Sequence, residues 1–150
     1  MEKIDNNIKK FNDGEIELRL SLGLVSTKQF YYIIYKLSDN TKIGQCGIRL
    51  IKSEENYYLG NIEYEIFNKN NGHNYAQKAS KLLANVAIYY NVDKLIITAN
   101  PNNIPSIKTI ENLNAKFLEI KKVPKHTKLY KSGSKKVAIY EWDLKERGIK

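Results

Sequence analysis

The residues best suited to chemistry lie between Gly60 and Leu83, where the chain reads GNIEYEIFNKNNGHNYAQKASKLL. An extended run leads into a polar loop, and the loop opens an amphipathic helix. A helix start exposes unpaired backbone N–H groups and the positive end of the helix dipole, so it suits a phosphate. Here Asn71, Gly72, His73, Asn74, Tyr75 and Ala76 would supply those amides. Gly72 lets the backbone approach an anion closely, and Asn74 tolerates a positive φ better than most residues. Ala76 is small enough for a pyrophosphate to sit against the helix. Any strand–loop–helix entrance shares this character, so the loop alone marks phosphate only as a candidate ligand.

The titratable groups nearby are few. Glu63 and Glu65 are two apart on the extended run and share a face, where they either relay a proton or stand in solvent. His73 either meets phosphate or faces water, and His126 sits in a polar stretch with no chemical partner in sequence. Cys46 is the only cysteine, which excludes an internal disulfide. In an apolar run it reads as a small core residue rather than a nucleophile.

These residues need a scaffold. Glu15–Val25 alternates, with Ile16, Leu18, Leu20 and Leu22 on one side, the pattern of a half-buried strand. Phe30–Leu37 is aromatic and β-branched, Ser38–Thr41 is turn chemistry, and Lys42–Lys52 returns as the other arm of a hairpin. Ser53–Asn56 reads as another turn and Tyr58–Phe67 as a fourth strand. From Tyr75 the period becomes helical, with Ala79, Leu82, Leu83, Val86 and Tyr90 on one stripe. Lys94–Ala99 is a short buried strand, and Ile104–Leu113 a second helix with Pro105 in its first turn. Two further strands, Ala115–Val123 and Lys136–Leu144, flank a polar connection over Lys125–Lys135. The expected architecture is α/β: a mostly antiparallel mixed sheet of about seven strands with flanking helices. Tyr58–Phe67 and Lys94–Ala99 should run parallel across a right-handed crossover.

At 150 residues the chain fits one domain over residues 1–150, with 1–13 expected to be loosely ordered. No stretch approaches the roughly 18–20 apolar residues of a membrane span, and none resembles a secretory leader, so a soluble cytoplasmic protein is expected. The formal charge is +9, yet only three of the 25 basic residues are arginine: Arg19, Arg49 and Arg147. Richness in Lys, Asn and Ile is what AT-rich codons give, and scarce arginine disfavours nucleic acid as a partner. No metal, pyridoxal or nicotinamide motif is present.

The segment Asn71–Ala76, with Lys78-Ala79 and Leu82-Leu83 behind it, resembles the acetyl-CoA-binding motif of GNAT acetyltransferases, Q/R-x-x-G-x-G/A. Ile96–Ser106 (IITANPNNIPS) is similar to the strand and Asn-Pro-x-Asn-x-x-Ser element of the ribosomal-protein-acetylating branch. Thr109–Phe117 resembles the helix that follows it. The likeness runs from Gly14 to Trp142. It departs at Asn71 for Gln or Arg, at Asn74 and Asn114 for Gly, and at Ile110, where many members carry a tyrosine acid. The segment between the first two strands, which often holds two substrate-binding helices, is very short here.

The resemblance implies an N-acetyltransferase that moves an acetyl group from acetyl-CoA to a primary amine by direct attack in a ternary complex. It places the cofactor phosphates on Asn71–Ala76, with His73 beside them, and the pantetheine arm on the backbone near Ile66 and Phe67. Asn103 and Ser106 would contact the cofactor, and Lys78 and Lys81 would reach its 3′-phosphate. Glu63 or Glu65 would serve as base through water, and Tyr130 as acid. The acceptor would be a small-molecule or peptide amine and the protein a monomer or homodimer. A non-catalytic acetyl-CoA-binding protein and a basic nucleic-acid-binding protein are the alternatives.

Overall fold

The computed structural model describes residues 3–145. Five strands form one antiparallel sheet in sequence order: β1 (Lys10–Asn12), β2 (Ile16–Leu24), β3 (Gln29–Lys36), β4 (Thr41–Arg49) and β5 (Ile62–Ile66). Three more, β6 (Lys94–Ala99), β7 (Lys116–Lys122) and β8 (Lys136–Asp143), form a second antiparallel sheet in the order β6-β8-β7. The helices are α1 (Glu54–Leu59), α2 (Tyr75–Tyr89), α3 (Ile104–Asn112) and the single turn α4 (Lys128–Lys131).

Alternation builds the meander. In β3, Phe30, Tyr32 and Ile34 are buried, and they meet Ile16 and Leu18 of β2 and Ile43, Cys46 and Ile48 of β4. The apolar stripe of α2, which includes Tyr75, Ala79, Leu82, Leu83 and Val86, closes this core. Trp142, Leu95 and Ile97 carry the same core into the second sheet. In the N-terminal stretch, Asn6–Ile8 form a 3-10 turn and Ile8 is buried, its carbonyl accepting from the Tyr32 hydroxyl at 2.7 Å. No helix among the described residues is long and apolar enough to cross a membrane.

Three expectations are corrected. Eight strands are present among the described residues rather than about seven, because β1 adds an edge to β2. The strand expected from Tyr58 begins only at Ile62, because Ser53–Asn56 is a helix start and not a turn. The Ser53 hydroxyl accepts from the Asn56 N–H at 3.0 Å, and Glu54 and Glu55 occupy the first turn of α1, where the helix dipole favours acid. Gly60, at φ +87°, ends that helix, and a Cβ there would lie 3.1 Å from the Thr98 nitrogen.

The third correction concerns the parallel pair. No ladder joins β5 to β6, and the single mixed sheet is two antiparallel ones. The hydrogen bonds from the start of β5 to β6 run through Asn61. Its N–H donates to the Ile96 carbonyl and its Oδ1 accepts from the Ile96 N–H, both at 2.6 Å. Its Nδ2 donates to the Arg49 carbonyl at 2.7 Å, and its own carbonyl accepts from the Arg49 N–H at 2.6 Å. One residue thus ties β4, β5 and β6 together, and beyond it the strands separate.

Asn61→Ala should therefore cost about 2–4 kcal/mol in urea unfolding, because it strips partners from two partly buried backbone groups. Asn61→Asp keeps the acceptor for Ile96 but sets a carboxylate oxygen against the Arg49 carbonyl, so it should destabilise as well.

Candidate active site

A cleft of about 640 Å³ lies between the open edge of β5, the start of α2 and the first turns of α3. That volume falls in the range of small-molecule and cofactor sites, roughly 300–1,000 Å³. Tyr64 and Ile66 line it from β5, Asn70, Asn71, Gly72, Asn74, Tyr75 and Ala76 from the loop and the start of α2, and Asn103, Ser106, Lys108, Thr109 and Asn112 from α3 and its cap.

The α2 entrance is shaped for an anion. Asn74 holds φ +59°, the left-handed conformation that glycine adopts freely, and its side chain makes no cap hydrogen bond. The first helical bond runs from the Lys78 N–H to the Asn74 carbonyl at 3.1 Å. The N–H groups of Tyr75, Ala76 and Gln77 thus precede the helical ladder, as the first N–H groups of any helix do. Gly72 has φ +92° and open space where a Cβ would stand. Beside it the side-chain oxygen of Asn70 is buried with no partner.

Strand alternation decides which β5 groups face the cleft. The Phe67 N–H donates to the Ile43 carbonyl at 2.9 Å, and Gln45 opposes Glu65. Peptide groups of Glu63, Glu65 and Phe67 therefore turn to β4, while those of Tyr64 and Ile66 turn to the open edge. Among the backbone positions expected to hold an extended ligand, Ile66 faces the gap and Phe67 is occupied. Tyr64 was not expected and occupies the same edge. Its hydroxyl lies 2.9 Å from Ser106 Oγ, and burial raises its pKa above the usual phenol value, so it stays protonated at neutral pH.

Eight expected residues come together on the cleft: Ile66, Asn71, Gly72, Asn74, Tyr75, Ala76, Asn103 and Ser106. Asn103 also caps α3, its Oδ1 accepting from the Ser106 N–H at 3.3 Å. His73 is exposed outside the lining, its ring 5.1 Å from that of Tyr75. Lys78 is engaged with Glu15 at 2.5 Å, and Lys81 is exposed. Glu63 and Glu65 project from the opposite face of β5, Glu63 paired with Arg49 and Glu65 accepting from Gln45 Nε2 at 2.9 Å. Tyr130 packs in a satellite cluster with Tyr58, Val123 and Leu129, beneath the Lys135 ammonium. Cys46 is buried and burial pushes its thiol pKa up, which removes the thiolate a nucleophile needs. Lys108, Thr109 and Asn112 were missed, although helical spacing from Ser106 places Thr109 one turn on.

A helix start, an open strand edge and a polar turn around one cleft would suit a phosphate-bearing ligand, and comparison with known proteins makes the class specific. Residues 8–116 match the family model of the acetyltransferase (GNAT) domain. The chain therefore belongs to the GNAT acetyltransferase family. A Vibrio cholerae protein assigned as a ribosomal-protein-serine acetyltransferase superposes with TM-score 0.69 at 13% identity, covering 91% of this chain and 98% of its own. Mycobacterium smegmatis RimJ, solved with CoA-disulfide, gives 0.62 at 15% identity, covering 79% of this chain and 54% of its own. RimL, a ribosomal L7/L12 alpha-N-protein acetyltransferase solved with coenzyme A, gives 0.60 at 14%, with 77% and 62% covered. The chain thus spans just over half of RimJ and about three fifths of RimL. At these identities the likeness is one of fold. No curated protein sequence matches the chain.

The left-handed Asn74 yields a local test. Asn74→Gly should leave stability within about 0.5 kcal/mol. Asn74→Val should lose about 1–2 kcal/mol, because a β-branched side chain is strained at that φ; thermal denaturation distinguishes the two.

Proposed function

We propose that the chain transfers an acetyl group from acetyl-CoA to a primary amine by direct attack in a ternary complex. The supporting observation is the convergence of the α2 amides, the open edge of β5 and the Asn103–Ser106 turn on one cleft of suitable size. The residues present fit the cofactor. The amides of Asn71–Ala76 would hold the pyrophosphate, with Lys108 on the cleft lining to offset its charge. Tyr64 and Ile66 would bond the pantetheine arm through their peptide groups. When bound, acetyl-CoA supplies the activated acyl carbon.

The chain's own residues supply the rest. A peptide N–H on the open edge of β5 polarises the acyl oxygen, as a preorganised donor in a water-poor cleft does most effectively. The amine approaches from the opposite face, where Glu65 carries a hydrogen bond from Gln45 but no ion pair, and Glu63 is held by Arg49. Glu65 is therefore the better base, acting through water. Ile110 is fully buried at the position of the family's tyrosine acid, so its side chain cannot serve. The hydrogen-bonded hydroxyls of Tyr64 and Ser106 take that place and protonate the departing sulfur. The acceptor is a peptide or small-molecule amine, and the names of the structural neighbours favour a protein. The substitution of Ile110 also supports the rival reading, a domain that binds acetyl-CoA without turnover.

Calorimetric titration with acetyl-CoA is expected to show micromolar binding that Ala76→Glu abolishes. A carboxylate in the first turn favours the helix dipole, so the variant remains folded and the loss reports on the cradle. Turnover with a panel of amines then separates catalysis from binding alone.

Tyr64→Phe should lower kcat about 10²–10⁴-fold while acetyl-CoA affinity changes little, if the phenol supplies the proton. An unchanged kcat in this variant would remove Tyr64 from the mechanism.

A further inference from the structure

The positive charge of this chain is concentrated. Between Lys116 and Lys136 stand eight lysines and a single carboxylate, Glu119, so 21 residues hold +7 of the formal +9. The 115 residues before them carry fourteen basic and twelve acidic side chains. Codon bias would scatter lysine along the whole chain, so it does not account for this segregation.

The fold gathers these lysines on one lobe made of β7, α4 and the start of β8. All eight are exposed, and none is ion-paired among the described residues. Lys135 sits 3.7 Å above the Tyr130 ring, and Glu119 is occupied by the Tyr57 hydroxyl at 2.5 Å. Other elements bring Glu54, 3.3 Å from His126, and Glu141, the cross-strand neighbour of Lys116, to the lobe, and the eight lysines still outnumber its carboxylates.

The same lobe presents an unfinished sheet. β7 is the outer strand of its sheet, with β8 on one side and no strand on the other among the described residues. Phe117, Leu118 and Ile120 are 51%, 38% and 55% exposed along it. A lysine or two on an edge strand commonly serves to keep sheets apart. That device does not explain three exposed apolar side chains between the lysines. Unpaired N–H and C=O groups flanked by apolar side chains are a template for one more strand.

We propose that this lobe docks an acidic polypeptide, which adds a strand to the free edge of β7. Its apolar side chains would cover Phe117, Leu118 and Ile120, and its carboxylates would lie among Lys116, Lys121, Lys122 and the lysines of the following loop. Nucleic acid fits less well. No arginine lies between Lys116 and Lys136, and of the two aromatic rings there Tyr130 lies under Lys135, leaving Phe117 alone as a stacking surface. A second copy would set two lysine-rich surfaces against each other and be repelled. The docking surface lies outside the cleft, and its occupancy does not depend on acetyl transfer.

The test takes the full chain with a fluorescein-labelled peptide alternating Glu and Val. A Lys–Val peptide of equal length and a single-stranded oligonucleotide of equal negative charge are the controls. Anisotropy should show that the Glu–Val peptide binds, that salt weakens it, and that the oligonucleotide binds less tightly. Amides of Lys116–Lys122 should gain protection from hydrogen exchange in the peptide complex. The triple variant Lys121→Glu, Lys122→Glu, Lys125→Glu should bind the peptide about tenfold more weakly or worse. Phe117→Ser with Ile120→Ser should weaken the peptide and leave the oligonucleotide unchanged. All these positions are exposed, and circular dichroism verifies that the variants fold. Absence of peptide binding, undiminished binding by the triple variant, or lack of new protection in β7 overturns the proposal. So does tighter binding of the oligonucleotide, or a dimer of the chain alone, seen by sedimentation, with β7 already protected.

Discussion

Two sheets that share no ladder are held together at the point where β5 meets β6, by the amide and backbone of Asn61. Everything that gives the molecule a cleft follows from how short that junction is. A full parallel ladder would have closed the space between the strands and satisfied the peptide groups of Tyr64 and Ile66 internally. With a single residue as clasp, those groups remain directed at the gap, and α2 and α3 frame it from one side. The buried core runs continuously from Phe30 and Leu83 to Ile97 and Trp142, so the opening interrupts the sheet without dividing the domain.

The clasp also separates two kinds of chemistry by strand parity. On one face of β5, Tyr64 and Ile66 meet the cleft, among amides and hydroxyls suited to an anion and a long flexible arm. On the other, Glu63 and Glu65 stand with Arg49 and Gln45. A ligand bound on one side and a nucleophile arriving from the other would meet only through the gap itself. The direct transfer we propose would use both faces of β5 at once, and the buried Cys46 has no part in it.

Much of this was legible in the residues. Alternation located β2, β3, β4 and β8, and the helical stripe located α2, to within a few positions. The loop from Asn71 to Ala76 stands out in sequence as a candidate anion site, and the structure brings five of its six residues to the cleft. What failed to be legible had physical causes. Ser53 with two glutamates behind it is a helix cap, yet Tyr58 and Leu59 are equally at home in a strand, and a helix of six residues gives too little periodicity to decide. The separation of β5 from β6 is a tertiary property, decided by Asn61 and Gly60 and invisible to local patterning. Tyr64 shares a face with Ile66, but the Ser106 hydroxyl that distinguishes it comes from α3 and is brought there only by the fold. The lobe from Lys116 to Lys136 was read as ordinary lysine richness, since total charge hides where the charge resides.

The left-handed turns bear on the denatured chain as well as the folded one. Besides Asn74, residues Asn40, Asn91 and Asn114 hold positive φ between 59° and 61°. Glycine would enter that conformation with less strain, but it would also give the unfolded ensemble more backbone freedom to lose. Asparagine accepts a small native strain and narrows the states the unfolded chain can visit. At these four turns part of the molecule's resistance to unfolding resides in a stiffer disordered state, where no contact in the native fold records it.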